Sequence, residues 1–134
     1  MNNSYAISAA NEVELALENI SGGGHGPVLL AHGFGQTRNA WQNTANALST
    51  SGWDVYWYDA RGHGDSGRPS DGVYDLNHFV DDLRLVHQHV HEKTQQLPIV
   101  VGASMGGLIS MLAQGEDPQL AMRALVLVDI APRW

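Results

Sequence analysis

A single serine surrounded by small residues is the feature of this sequence best suited to chemistry. Segment 100–108 has the sequence VVGASMGGL, in which Ser104 has glycine two residues before it and two residues after it. A tight strand-to-helix turn holds such a serine in a strained conformation and lifts its hydroxyl above the sheet. Glycine is expected at positions 102 and 106 because a side chain there would collide with neighbouring segments of the backbone. The pattern predicts a nucleophile, with the Met105 N–H at the helix start donating to a developing oxyanion.

Two further glycine motifs stand at the ends of predicted strands. HGFG occupies residues 32–35, after the apolar run PVLLAH, and DARGHGDSGRP begins at Asp59 and includes the end of the aromatic run WDVYWYD. Together with GASMG at 102–106, they resemble the α/β-hydrolase family, and the resemblance covers nearly the whole chain. It implies that the Phe34 N–H is the second oxyanion donor. Small-residue runs also occur where helices merely pack on strands, which is the alternative for segment 102–106 taken alone.

The resemblance also narrows the chemistry. Family members that dehalogenate alkyl halides or open epoxides use an aspartate at this turn, whereas this chain has Ser104. The implied reaction is therefore acyl transfer to a serine, with esterases and lipases first and carbon–carbon bond hydrolases or cofactor-free perhydrolases as alternatives. The implied partner is a small-molecule acyl substrate, with no metal and no organic cofactor. Phe34 and Met105 are candidates to line the acyl pocket. Three tryptophans are expected to pack in the core: Trp41, Trp53 and Trp57.

A serine hydroxyl needs a base, and the sequence supplies none in the expected place. The order of the family's triad along the chain is serine, acid, histidine, whereas all seven histidines here precede Ser104. His32 is expected to hold the HGFG loop by hydrogen bonds, and His63 lies in the second glycine loop. That His32 or His63 acts as the general base for Ser104 is a minor alternative. In that second loop we expect Arg61 and Asp65 to form ion pairs.

Three more titratable residues are weaker candidates. His87 and His91 are four residues apart on a predicted helix and could form a weak metal site, although a solvated helix face is the preferred interpretation. Asp129 ends the last predicted strand, where some family members place the triad acid, but a turn-forming role before APRW is preferred. The sequence therefore resembles the N-terminal part of a single α/β-hydrolase domain, over residues 1–134, without the triad histidine and the last strands. Two other hypotheses are a non-catalytic binding module and a fragment without a function of its own.

The apolar periodicity predicts how these residues are positioned. Alternation over residues 12–18 predicts a half-buried strand, with SYAIS as its hairpin partner. Apolar or aromatic runs at 27–32, 53–59, 97–103 and 124–130 predict further strands, the last of them left as an apolar edge. Helical spacing appears in three segments: 39–52, 77–93 and 104–115. The order predicts an α/β fold with a mostly parallel sheet and helices on both faces.

Composition excludes several other classes. The chain has 134 residues and no cysteine, which excludes disulfides and thiolate chemistry. The net charge of -7 argues against a nucleic-acid surface. No apolar run has the length of about 20 residues that a membrane span needs, and the N-terminus lacks the pattern of a signal peptide. The sequence predicts a cytoplasmic protein and leaves its oligomeric state open.

Overall fold

Six strands form one mixed sheet in the computed structural model, which describes residues 2–117 and 120–128. Their order across the sheet is β1-β2-β4-β3-β5-β6. β1 and β2 form an antiparallel hairpin, β2 pairs antiparallel with β4, and β3 to β6 run parallel. The strand bounds are β1 Asn2–Ser8, β2 Glu14–Ile20, β3 Pro27–Ala31, β4 Asp54–Tyr58, β5 Ile99–Ala103 and β6 Ala124–Val128. The predicted strands and the mostly parallel sheet are confirmed.

Three α-helices lie within the described residues: α1 Gln42–Thr50, α2 Leu76–Thr94 and α3 Met105–Glu116. The helix predicted at 39–52 starts instead as the 3₁₀ turn Arg38–Trp41. Thr37 caps that turn by accepting a hydrogen bond from the Asn39 N–H at 3.3 Å. α2 starts after Asp75, whose carboxylate accepts from the Asn77 N–H at 2.9 Å.

Helices cover both faces of the sheet, as the sequence predicts. The alternation of side chains along β3 and β4 divides the core in two. On one face α2 and α3 pack against the larger cluster, which includes Leu29, Tyr56, Leu83 and Ile109. On the other face α1 packs against the smaller cluster, in which Trp57 is fully buried. Trp41 and Trp53 pack against that smaller cluster, so the packing role expected for the three tryptophans is confirmed.

The sheet ends in an apolar edge at β6. Its outer edge pairs with no other strand among the described residues, and Val126, Leu127 and Val128 are 40–45% exposed. This agrees with the apolar edge predicted for the last strand. Within residues 2–117 and 120–128, no helix combines the length and the apolar character needed to span a bilayer.

Candidate active site

Ser104 stands alone between the end of β5 and the start of α3. Its backbone has φ 52° and ψ -116°, a region that residues with a side chain rarely adopt. It precedes the first residue of α3, yet its side chain makes no capping hydrogen bond. The residue is exposed, and within the described ranges its hydroxyl has no hydrogen-bond partner. The turn therefore presents a free hydroxyl to solvent, as the sequence predicts.

The glycines around Ser104 make this turn possible. A Cβ on Gly102 would lie 2.5 Å from the Gly107 Cα, in the first turn of α3. A Cβ on Gly106 would overlap the carbonyl oxygen of Ala31 at the end of β3. Each contact would be closer than real Cβ atoms approach other atoms, so no side chain fits at either position. The expected collisions are present, with the helix itself in one case and with the neighbouring strand in the other.

The HGFG loop packs directly on this turn. A Cβ on Gly33 would lie 3.2 Å from the Ser104 Cβ and 3.5 Å from the Ala103 carbonyl oxygen. The Gln36 side chain closes the loop, because its Oε1 accepts from the Gly33 N–H at 3.1 Å and its own backbone N–H donates to the Gly33 carbonyl at 3.1 Å. The loop that follows β3 is therefore held against the serine.

Two backbone amides near Ser104 remain without an acceptor. In the described part of the chain the Phe34 N–H makes no hydrogen bond, although the Gly33 and Gly35 N–H groups on either side are both engaged. The Met105 N–H belongs to the first turn of α3, where no intrahelical acceptor exists. These are the two amides that the sequence assigns to an oxyanion hole.

His32 holds the loop rather than serving as a base. The Ala60 N–H donates to its Nε2 at 2.9 Å, so the ring proton is on Nδ1, which donates to the Gly33 carbonyl at 2.7 Å. Burial lowers the pKa of the His32 imidazole below its ordinary value, which favours this neutral form. Both nitrogens are occupied, as expected for a structural role.

His63 has the same arrangement in the second glycine loop. Its Nε2 accepts from the Gly35 N–H at 3.0 Å, and its Nδ1 donates to the Arg61 carbonyl at 3.0 Å. Its ring meets the Phe34 ring edge-on, with 5.2 Å between centroids. Neither nitrogen is free to take a proton from Ser104, and no other described histidine forms a hydrogen bond to Ser104.

Arg61 and Asp65 form ion pairs, as expected, although not with each other. Arg61 is fully buried and binds the Asp82 carboxylate of α2 through Nε at 2.6 Å and Nη2 at 2.9 Å. Asp65 pairs with Arg38 at 3.1 Å. These contacts join the second glycine loop to α2 and to the turn that follows the HGFG loop.

Sequence reasoning missed the network centred on Asp59 and Arg38. The Asp59 carboxylate is fully buried and accepts from the Arg38 N–H at 2.6 Å, the Arg38 guanidinium and the Asp65 N–H at 2.9 Å. Arg38 also binds Glu18 of β2 at 2.8 Å. No spacing in the sequence links these residues, because they come from four different places: the 3₁₀ turn, β2, the end of β4 and the loop beyond it.

The solvated-face interpretation is wrong for His87. It is buried on α2, where its Nε2 donates to the Ala121 carbonyl at 2.6 Å, and burial lowers its pKa. His91 is exposed. In the ranges that the structure describes, no group of three histidine, cysteine, aspartate or glutamate residues is placed to hold a metal ion. Asp129 lies outside the described residues.

A groove of about 530 Å³ opens beside the HGFG loop. Its walls are residues 34–37, residues 62–64, Arg68 and Tyr74. Phe34 is 73% exposed and lines it, whereas Met105 packs against the larger core cluster. Met105 is half-buried and does not line this groove, and the expectation that Phe34 and Met105 line the acyl pocket stays a prediction.

Comparisons with known proteins place the chain in a family. The family model described as "Serine aminopeptidase, S33" matches residues 24–132. A monoacylglycerol lipase of Mycolicibacterium smegmatis is 39% identical over 83 residues, which are 61% of this chain and 30% of that protein. A putative non-heme chloroperoxidase of Synechocystis sp. is 31% identical over 107 residues, covering 79% of this chain and 37% of that protein.

Solved structures show the same fold. An α/β hydrolase from Novosphingobium aromaticivorans has a TM-score of 0.84 and 25% identity over 98% of this chain and 45% of that chain. An epoxide hydrolase from Vigna radiata has a TM-score of 0.81 at 23% identity, over 99% of this chain and 40% of that chain. The chain thus spans less than half the length of these proteins. It belongs to the serine aminopeptidase S33 family, and with it to the α/β hydrolases.

Proposed function

We propose that the protein is a serine hydrolase that cleaves a carboxylic ester or a related acyl bond through an acyl-enzyme at Ser104. The observation that carries the proposal is the exposed, unpartnered hydroxyl of Ser104 on a strained turn. Two unengaged amides, those of Phe34 and Met105, flank it on the loop and the helix that meet there. Hydrolysis as such is the common property of the family's lipases and esterases.

In the proposed reaction the Ser104 Oγ attacks the carbonyl carbon of the substrate and transfers its proton to a general base. The carbonyl oxygen becomes an oxyanion that accepts hydrogen bonds from the Phe34 and Met105 N–H groups. Collapse of this intermediate breaks the bond to the leaving alkoxide, which takes the proton from the base, and leaves the acyl group on Ser104. Water then attacks the acyl-enzyme by the same steps, which releases the acid and restores the hydroxyl.

The proposal requires a base and an acid that the described residues do not bring to Ser104. It therefore concerns the full-length protein that carries this sequence, in which a histidine and a carboxylate outside the described residues complete the triad. Residues 1–134 are then part of one hydrolase domain. A cytoplasmic location and a small-molecule acyl substrate remain predictions from the sequence.

The relatives support an ester as the substrate class. The monoacylglycerol lipase, at 39% identity, and a protein phosphatase methylesterase of Candida albicans, at 30% identity over 74% of this chain, are both named for ester cleavage. A yeast relative is named a probable alcohol acetyltransferase, which is also acyl transfer. This chain covers 30% or less of each of these three relatives.

Replacing Ser104 tests the proposal directly. In the full-length protein, Ser104→Ala should lower kcat for short-chain p-nitrophenyl esters by about 10⁴-fold or more, since the nucleophile is lost. Ser4→Ala is the matched control, because Ser4 is an exposed serine on β1 far from the turn. Turnover by Ser104→Ala within tenfold of the wild type would contradict the proposal.

A second candidate is perhydrolysis, in which hydrogen peroxide replaces water in the attack on the acyl-enzyme. The relative named a putative non-heme chloroperoxidase favours it. Formation of peracetate from acetate and hydrogen peroxide, lost in Ser104→Ala, would support this activity. Tight binding of an apolar ligand without turnover, unchanged by Ser104→Ala, would favour a binding module instead.

A further inference from the structure

We propose that His63 is a positioning residue for the oxyanion hole, fixing the peptide next to the Phe34 donor. The inference rests on the proposed function for its effect on catalysis, although the contact itself can be tested without any reaction. His63 lies in the second glycine loop, outside the turn that bears Ser104.

The hydrogen bonds of His63 determine its protonation state. The Gly35 N–H can only donate, so Nε2 must be unprotonated to accept from it at 3.0 Å. The Arg61 carbonyl can only accept, so Nδ1 carries the proton that it donates at 3.0 Å. A neutral His63 in one tautomer therefore links the HGFG loop to the second glycine loop.

The two ends of this link, the Arg61 carbonyl in the second glycine loop and the Gly35 N–H in the HGFG loop, are held differently. Arg61 is fully buried and bound by both oxygens of Asp82, and its loop is closed by the Gly62 N–H donating to the Gly67 carbonyl at 2.9 Å. Gly35 has φ 79°, and a Cβ there would meet nothing within 4 Å. The hydrogen bond from the Gln36 N–H to the Gly33 carbonyl closes the turn around Gly35, and within the described residues His63 is the side chain that binds the peptide between Phe34 and Gly35.

The consequence concerns the amide that remains free. The Gln36 side chain engages the Gly33 N–H, and His63 engages the Gly35 N–H, so Phe34 between them has the only uncommitted amide of these three. Two peptide units flank the Phe34 Cα. The unit that carries the Phe34 N–H is held through the Gly33 carbonyl, which accepts from His32 Nδ1 and the Gln36 N–H, and the following unit is held through the Gly35 N–H by His63. Without His63, Phe34 is held on its Gly33 side alone, which lets the residue shift and move its N–H relative to the carbonyl oxygen that it must stabilise.

The expected kinetic effect is on kcat rather than on KM. Misplacing a catalytic group by about 1 Å can cost about 10²-fold in rate, and loss of a whole oxyanion donor costs about 10²–10³-fold in kcat. We expect His63→Leu to lower kcat by about 10- to 100-fold while KM changes by less than about threefold, since the lost interaction forms in the transition state. His63→Gln can offer an amide oxygen to the Gly35 N–H and should recover most of the lost rate.

The experiment compares three variants of the full-length protein with the wild type: His63→Leu, His63→Gln and the control His91→Leu. His91 is exposed on α2 and has no part in the site. For each variant we would measure kcat and KM for a p-nitrophenyl ester, the affinity for a boronic acid that mimics the tetrahedral intermediate, Tm, and amide exchange at Gly35 by NMR. The expected result is a loss of kcat and boronate affinity and faster Gly35 exchange in His63→Leu, restored in His63→Gln and absent in His91→Leu.

Two outcomes would overturn the inference. One is wild-type kcat and wild-type Gly35 exchange in His63→Leu. The other is an equal loss in His63→Leu and His63→Gln that follows a fall in Tm, which is the behaviour of a residue needed only for folding. Failure of the proposed function is a separate result, namely turnover that survives Ser104→Ala, and the exchange rate at Gly35 still tests the His63 contact in that case.

Discussion

The backbone conformation of Ser104 predicts an unusual response to glycine. At φ 52° and ψ -116° a residue with a Cβ is strained, whereas glycine is not. Ser104 also makes no capping hydrogen bond, so its hydroxyl contributes nothing to the stability of α3. Replacing this serine by glycine should therefore stabilise the folded protein while it removes the proposed nucleophile.

The magnitude follows from two opposing terms. A strained conformation of this kind costs about 1–3 kcal/mol, which Ser104→Gly would recover. The greater freedom of glycine in the unfolded chain costs about 0.4–1 kcal/mol. The net effect is a gain of about 1 kcal/mol relative to the wild type. Ser104→Ala keeps the strain and loses no capping bond, so its free energy of unfolding should stay close to that of the wild type.

Urea denaturation of the full-length protein measures these differences at constant m-value. Asp75→Ala is the matched control, because Asp75 precedes α2 and does cap its helix. We expect that variant to lose about 1 kcal/mol, as for an ordinary cap. A Ser104→Gly variant less stable than the wild type would contradict the strain at Ser104. A loss in Ser104→Ala as large as that in Asp75→Ala would show that the Ser104 hydroxyl does stabilise α3.

Three further predictions test the surroundings of the site. Gly106→Ala places a methyl group against the Ala31 carbonyl oxygen, so it should displace α3 and lower the free energy of unfolding by at least about 1–3 kcal/mol. A urea midpoint equal to that of the wild type would contradict this. Asp82→Leu leaves the buried Arg61 guanidinium without its carboxylate and should lower the free energy of unfolding by about 3–5 kcal/mol. Adding Arg61→Met should regain most of this loss, whereas additive losses would show that the pair is not coupled. Burial lowers the pKa of His87, so as the pH falls below about 6.5 the unfolded chain binds a proton at this residue before the folded state does. The contribution of His87 to stability should be constant above that pH and should fall below it by up to about 1.4 kcal/mol per pH unit. His87→Gln should reduce this slope in urea titrations between pH 8 and 5, and an unchanged slope would contradict the prediction.

The order of strands and helices was predictable because each core element has its own apolar period. The runs that became β3 and β5 are continuous, as expected for strands covered on both faces. The collisions at Gly102 and Gly106 were predictable too, because a strand-to-helix turn leaves no room beside its nucleophile. In each case the information is local to a few residues.

The burial of His87 had a signal that the preferred interpretation overlooked. Leu83, Val86 and Val90 define the apolar stripe of α2, and His87 lies four residues after Leu83 and three before Val90, hence on the same stripe. The nearby Glu92 and Lys93 favoured a solvated face, but a neutral imidazole can be buried when one nitrogen has an acceptor such as the Ala121 carbonyl.

The network around Arg38 had no comparable signal. Its guanidinium reaches Glu18, Asp59 and Asp65, which belong to β2, the end of β4 and the loop beyond. The contact between His63 and Gly35 is of the same kind, because two loops 28 residues apart in sequence meet only after β3 and β4 pair. Such contacts depend on the register of the sheet, which local patterns do not specify.

Covalent labelling would distinguish a nucleophilic Ser104 from an unreactive serine at this turn. Full-length protein would be treated with a fluorophosphonate, which phosphonylates activated serines, and the adduct located by mass spectrometry of the digested chain. If Ser104 is the nucleophile, a single adduct forms on Ser104 in parallel with the loss of esterase activity, and none forms in Ser104→Ala. Labelling at another residue, with ester turnover intact in Ser104→Ala, would contradict it.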